Sequence, residues 1–160
     1  SFGGTAMKRK IVGYHQDEKQ DWVADLDCFH GQHVRHEPPF FNRPWSATAE
    51  GRASKLGEVL DCRRCDVLEF PKGLKEYKRT PTFTQDTIPK GLLKHHTTKM
   101  GIWGKIHVLQ GKLLYSPEGQ ASMVIGVGEE SNVVPEMLHC VAAEGLVQFY
   151  VAFYTCAEQS

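Results

Sequence analysis

A chain of 160 residues has room for one ordinary domain or two small ones. Its 19 basic residues balance its 19 acidic ones, and 41% hydrophobic with 24% charged residues is a soluble globular profile. The balanced charge argues against a nucleic-acid or membrane-surface partner, and no apolar run approaches the roughly 18 residues of a membrane helix.

Ser1 to Ala6 precede Met7 and read as the remnant of an expression tag. From Met7 the basic residues Lys8, Arg9 and Lys10 lead into Ile11-Val12-Gly13-Tyr14, too short an apolar stretch for a signal peptide, so the expected location is cytoplasmic. Five cysteines, an odd number, then argue against a disulfide framework. Cys140 and Cys156 sit in apolar surroundings and read as small buried hydrophobes.

The first predicted elements are two short strands, Ile11-Val12-Gly13-Tyr14-His15 and the run from Asp21 to Cys28, joined by a polar turn. Residues 36–45 contain three prolines and read as a loop. Thr48 is placed to cap a short helix through Leu56, which Gly57 would stop. The segment from Met7 to Pro71 has few apolar runs, so it needs a metal or a neighbouring domain to fold.

Its cysteines suggest the first. Cys62-Arg63-Arg64-Cys65 has the spacing that brings two thiolates to one tetrahedral ion, and Cys28-Phe29-His30 supplies a second pair. Structural Zn²⁺ held by Cys28, His30, Cys62 and Cys65 would pin the loop and helix between them. His33 is an alternative to His30, and with His36 it reads more simply as a solvated or hydrogen-bonded imidazole. A redox pair is the rival use of the C-x-x-C, since Arg63 and Arg64 would lower thiol pKa values, but the strand-helix context of such motifs is missing.

The strings Gly13-Tyr14-His15-Gln16-Asp17-Glu18, the run from Asp21 to Pro39, Arg43-Pro44-Trp45, Gly51-Arg52 and Cys62-Arg63-Arg64-Cys65 together resemble a small bacterial family of uncharacterised domains. That resemblance supports the boundary and the cysteine reading and implies no reaction; the fold expected over residues 7–71 is a small zinc-ribbon-like α+β module.

Pro71-Lys72-Gly73 marks the boundary. Beyond it, over residues 72–160, short β-rich runs are separated by Gly, Pro and acidic turns: 101–110, 112–116, 122–127, 132–135, 138–142 and 146–154. The last is continuous enough for a central strand buried on both faces. Strands at this spacing predict a mainly β fold, a small antiparallel barrel or jelly roll.

The carriers Thr80-Pro81-Thr82-Phe83, Ile88-Pro89-Lys90-Gly91-Leu92-Leu93, the run from His96 to Gly104, Val108-Leu109-Gln110-Gly111 and Pro135-Glu136-Met137-Leu138-His139 resemble the cupin-type domain of TehB tellurite-resistance proteins. The resemblance covers Leu74 to Tyr154 and implies a cupin-like β-barrel with a pocket near His96 and His139. Pro135 to His139 stands where a second cupin motif is expected, with Met137 in place of its glycine. The first motif's H-x-H is absent, and so is the glycine-rich unit of a methyltransferase. His96, His139 and Glu136 are the candidate ligands of a second metal, Zn²⁺, Fe²⁺ or Ni²⁺, because imidazole serves all three. His107 on its strand is a further candidate, while His95, next to His96, would point to the opposite face. Lys99 and Trp103 are placed to meet an anion and an apolar ligand face.

The resulting expectation is a metal-binding cupin with a structural zinc module, taking a small-molecule or anionic ligand in tolerance of tellurite or oxidant stress. By resemblance it would form a homodimer. The alternative is an interaction module in which Arg35, Arg43, Trp45, Arg52, Arg63 and Arg64 form a contact face for a protein or nucleic acid.

Overall fold

The computed structural model describes residues 7–156, so the expected tag remnant falls outside the described residues. The chain is mainly β and divides between Asp66 and Val67 into two compact units.

In the first unit, β1 (Lys8–Gln16) and β2 (Trp22–Leu26) form an antiparallel hairpin. Its polar turn is tied by Asp17, whose carboxylate accepts from the backbone N–H groups of Lys19 and Asp21, both at 2.9 Å. Two strands that sequence patterning did not resolve complete the sheet. β3 (Gly31–His33) pairs with β2, and β4 (Val59–Asp61) with β1, giving the order β3-β2-β1-β4. Each is three residues long, too short to display an alternation.

The helix α1 (Ala49–Ser54) starts where Thr48 predicts: its hydroxyl accepts from the Gly51 N–H at 3.0 Å. It ends sooner than expected, at the cap residue Lys55, and Gly57 follows with φ of +85°. A single turn, α2 (Arg63–Asp66), carries Cys65. The apolar core of this unit is small, built around Ile11, Val23, Ala24, Leu26 and Val34.

The second unit is a curled antiparallel sheet. Its strands are β5 (Leu74–Arg79), β6 (Phe83–Thr84), β7 (Trp103–Pro117), β8 (Met123–Ile125), β9 (Glu130–Val133) and β10 (His139–Cys156). β7 and β10 pair along most of their length; β5 and β6 border β10, and β8 and β9 border β7. Leu68 and Phe70 belong to this unit. The Leu68 carbonyl accepts from Asn132 at 2.8 Å, and the Phe70 ring packs edge-on against Trp103 and Tyr154.

Gly111 and Gly145 do not break the chain into separate strands as their sequence context suggests. Both lie inside continuous strands with positive φ, 74° and 79°. Around them the pairing slips: Val108 opposes Phe149 while Gln110 opposes Gln148, leaving Leu109 as a bulge. The bulge reverses which side chains of β7 face inward, from Ile106 and Val108 before it to Leu113 and Tyr115 after it.

β10 is central in the pairing but buried mainly on one face, with Ala152 the fully buried residue of the other. His139, Val141, Val147, Phe149 and Val151 point inward, while Ala142 and Gln148 are exposed. Cys140 lies on the outward parity, and Cys140 and Cys156 are both half-exposed rather than core residues.

Candidate functional site

In the first unit, Cys28 and His30 sit in a tight turn between β2 and β3. The Phe29 N–H donates to the Leu26 carbonyl, the Leu26 N–H donates to the His30 carbonyl, and Phe29 adopts a φ of 73°. Cys62 lies between β4 and α2, its N–H donating to the Met7 carbonyl at 2.8 Å. One turn of helix brings Cys65 beside it. The Met7 N–H closes this arrangement by donating to the Asp66 carboxylate at 2.8 Å.

The four side chains converge: Cys28, His30, Cys62 and Cys65 are all buried, and their ligand atoms lie within 4.8 Å of one another. Nδ1 of His30 is 3.4 Å from Cys28 Sγ, 3.3 Å from Cys62 Sγ and 3.6 Å from Cys65 Sγ, and the Cys28 and Cys62 sulfurs are 3.7 Å apart. A tetrahedral ion with bonds of about 2.3 Å to sulfur and about 2.0 Å to nitrogen has sulfur–sulfur edges of about 3.8 Å and sulfur–nitrogen edges of about 3.5 Å. The observed separations match those edges. They are far beyond the roughly 2.05 Å of a disulfide.

The cluster's electrostatics agree with a cation site. Burial pulls the His30 imidazole down, but hydrogen bonds and charge from Cys28 and Cys62 outweigh it and raise the group to about 9. Hydrogen bonds from Cys28 and Cys65 hold Cys62 low against burial, while Cys65 is pushed up by Cys28, Cys62 and burial, with Arg9 opposing. Metal ligation takes thiolates and a neutral imidazole, so a divalent ion held here would displace whatever protons these groups carry. Three thiolates around a divalent ion would leave a single net negative charge, and the guanidinium of Arg9, 1% exposed on β1, would offset it, as its charge already acts on Cys65. Arg9 stands between Lys8 and Lys10, so nothing in the local sequence distinguishes it from two ordinary basic neighbours.

Histidines outside this cluster are engaged elsewhere. His33 Nε2 is 2.7 Å from the Asp17 carboxylate, and His36 Nδ1 accepts from the Arg43 N–H at 3.0 Å. The structure gathers His30 with the thiols, and not His33.

In the second unit, His96 and His139 form an antiparallel bridge, each N–H donating to the other's carbonyl at 2.8 Å. Directly opposed residues in such a pair project to the same side, so both rings enter one cavity, edge-to-face with centroids 5.4 Å apart. The cavity, about 240 Å³, is otherwise lined by apolar side chains such as Phe83, Leu92, Val141 and Phe149, with the hydroxyls of Thr80 and Thr98. Burial lowers the His139 pKa, opposed by its hydrogen bond with the Met137 carbonyl and aided by His96.

The remaining candidates are placed elsewhere. Glu136 is exposed in a turn with φ of 63°, its N–H donating to the Thr98 carbonyl, and His139 stands one residue nearer Pro135 than in the cupin pattern P-x-G-x-x-H. Among the described residues, the four-residue Cys/His cluster is the one group of three or more metal-capable side chains. His107 faces outward because Leu109 has not yet reset the parity of β7; it stacks on Tyr150 at 4.9 Å. His95 and Lys99 are exposed, and Trp103 is fully buried against Phe70 rather than at the cavity. Phe83, Phe149 and Val151 also line the cavity and were not expected from the sequence; the odd parity that Phe149 and Val151 share with His139 along β10 was the available signal.

Fold and site thus define a small two-unit β protein with a buried thiol–imidazole centre in one unit and an apolar cavity in the other. Known proteins divide along the same line. Residues 12–69 match the family described as "Protein of unknown function (DUF3565)", and residues 78–151 match the TehB-like domain family. A 39-residue stretch is 46% identical to the probable S-adenosyl-L-methionine-dependent methyltransferase TehB of Haemophilus influenzae, covering 24% of this chain and 14% of that protein. The crystal structure of TehB from Haemophilus influenzae superposes with a TM-score of 0.50 at 30% identity, over 53% of this chain and 32% of that one. A protein from Escherichia coli K12, at 22% identity and TM-score 0.50, covers 55% of this chain and 96% of its own, and shows the shared fold. The chain therefore spans a third or less of the TehB proteins it matches.

Proposed function

We propose that this chain is a metal- and ligand-binding protein in which a zinc-stabilised, zinc-ribbon-like module precedes a cupin-like barrel that takes a small molecule beside His96 and His139. The carrying observation is the set of sulfur–sulfur and sulfur–nitrogen separations among Cys28, His30, Cys62 and Cys65, which are the edges of a zinc-sized tetrahedron. Three sulfurs and an imidazole suit zinc and disfavour Ca²⁺ or Mg²⁺, which take oxygen ligands. The likeness of residues 78–151 to the TehB-like domain supports a role in tolerance of tellurite or related oxidants. The methyltransferase activity in the TehB name stays with that protein. Membrane insertion by a helix is not part of this reading: no helix among the described residues is long and apolar enough to cross a membrane.

Metal analysis of purified protein tests it. The reading predicts about one zinc per chain, lost on Cys62→Ser with Cys65→Ser and retained on His139→Ala. Metal that survives the double cysteine change and disappears with His139→Ala would overturn the zinc module.

One observation favours a second reading, a non-catalytic interaction module. Arg43, Arg63 and Arg64, with Lys8 and Phe41, line an open groove in the first unit. The other residues expected in such a face serve internal contacts: Arg52 lies 3.6 Å over the Trp22 ring, and Arg35 pairs with Asp21 and Glu37. Affinity capture with and without Arg63→Ala and Arg64→Ala separates the readings, because the zinc module alone predicts no dependence on these side chains.

A further inference from the structure

The chemistry of the second unit's cavity narrows what it can hold. Among the described residues, its walls contain no lysine, no arginine and no acidic residue. Both lining hydroxyls are committed: Thr80 donates to the Pro81 carbonyl and accepts from the Val151 N–H, and Thr98 donates to the Ile102 carbonyl. An oxyanion entering here would lose its water and meet no lysine or arginine in return, which is unfavourable. A divalent metal would find two imidazoles, and no third Cys, His, Asp or Glu ligand atom gathers with them among the described residues.

What the cavity does offer is shape and one oriented acceptor. His139 lines this cavity, and its Nδ1 is 3.1 Å from the Met137 carbonyl, an acceptor, so in the neutral ring Nδ1 carries the proton and Nε2 holds a lone pair. The ring is held between the edge-on faces of His96 and Tyr115, and the Tyr115 hydroxyl is itself committed to the Asn132 carbonyl at 2.8 Å. A cavity of about 150 Å³ accepts benzene, so 240 Å³ corresponds to about ten non-hydrogen atoms.

We propose that this cavity binds a small, neutral, largely apolar molecule of about ten non-hydrogen atoms that donates one hydrogen bond to Nε2 of His139. The inference rests on the reading of the second unit as a ligand-binding barrel and replaces the expected anion with a neutral donor.

Indole and indene test it directly, because they share size and shape while only indole carries an N–H donor. Binding of each to the 160-residue chain is followed by the NMR shifts of the Val141 and Val151 methyls and the His139 ring, with sodium tellurite and Zn²⁺ in parallel on protein whose first-unit site is already zinc-loaded. The expected result is saturable binding of both hydrocarbon-sized probes, indole about tenfold tighter. That preference should vanish in His139→Leu, with indene binding retained. Equal binding of indole and indene to the unaltered protein overturns the hydrogen bond to His139. Perturbation of the cavity by tellurite or Zn²⁺, with neither probe binding, overturns the ligand class and leaves the barrel as a ligand site. Silence towards all four overturns both.

Discussion

The buried His139 couples the second unit's stability to pH in a definite direction. Its folded pKa lies below the usual imidazole value of 6.5, chiefly because burial disfavours the charged ring. The unfolded chain therefore takes up this proton first as pH falls. The stabilisation is complete above about pH 6.5 and is lost as pH falls toward and through the lower folded value. The unfolding free energy of the unaltered protein minus that of His139→Leu isolates the group, since other titrations largely cancel. That difference should decline from pH 7.5 to pH 5; a flat difference would show that the ring is already solvated. His96 and His139 were both legible in the sequence, yet their pairing was not. The bridge joins residues 43 positions apart through backbone hydrogen bonds that no local pattern records.

At the scale of elements, Gly111 shows where sequence patterning and structure part. A glycine between two apolar runs reads as a turn, and the runs on either side of it were legible as strands. The strand in fact continues through it, because the Leu109 bulge and the left-handed Gly111 let β7 bend without breaking its pairing with β10. A Cβ at Gly111 would lie 1.8 Å from the Leu146 carbonyl oxygen, and the left-handed backbone adds about 1–2 kcal/mol for any other residue. Gly111→Ala should thus lower stability in urea by more than about 2 kcal/mol, whereas alanine at Gly91, with open space around its Cβ position, should be nearly neutral. Comparable midpoints for the two variants would refute this account of the bend. The short strands β3, β4, β5 and β6 were not legible: they hold place by pairing with longer neighbours, and two to six residues carry too little pattern to reveal it.

On the scale of the whole molecule, the two units draw stability from different sources. The second has two long strands and an apolar interior that includes Trp103, Tyr115 and Phe149, each no more than 1% exposed. The buried side chains of the first unit include a few aliphatics, a charged arginine, three thiols and an imidazole. On the proposed reading, the energy that a larger apolar core would contribute comes from the ion. The cluster of four metal-capable side chains was legible from two short spacings, C-x-H and C-x-x-C. The choice of His30 over His33 was not, since it depends on the tight turn at Phe29 turning one imidazole inward while Asp17 holds the other outside.

X-ray absorption at the zinc edge of the zinc-loaded full chain addresses that centre most directly. The account predicts three sulfur scatterers at about 2.3 Å and one nitrogen at about 2.0 Å, with the nitrogen shell replaced or lost on His30→Ala. A zinc surrounded only by nitrogen and oxygen, or a spectrum unchanged by His30→Ala, would contradict it.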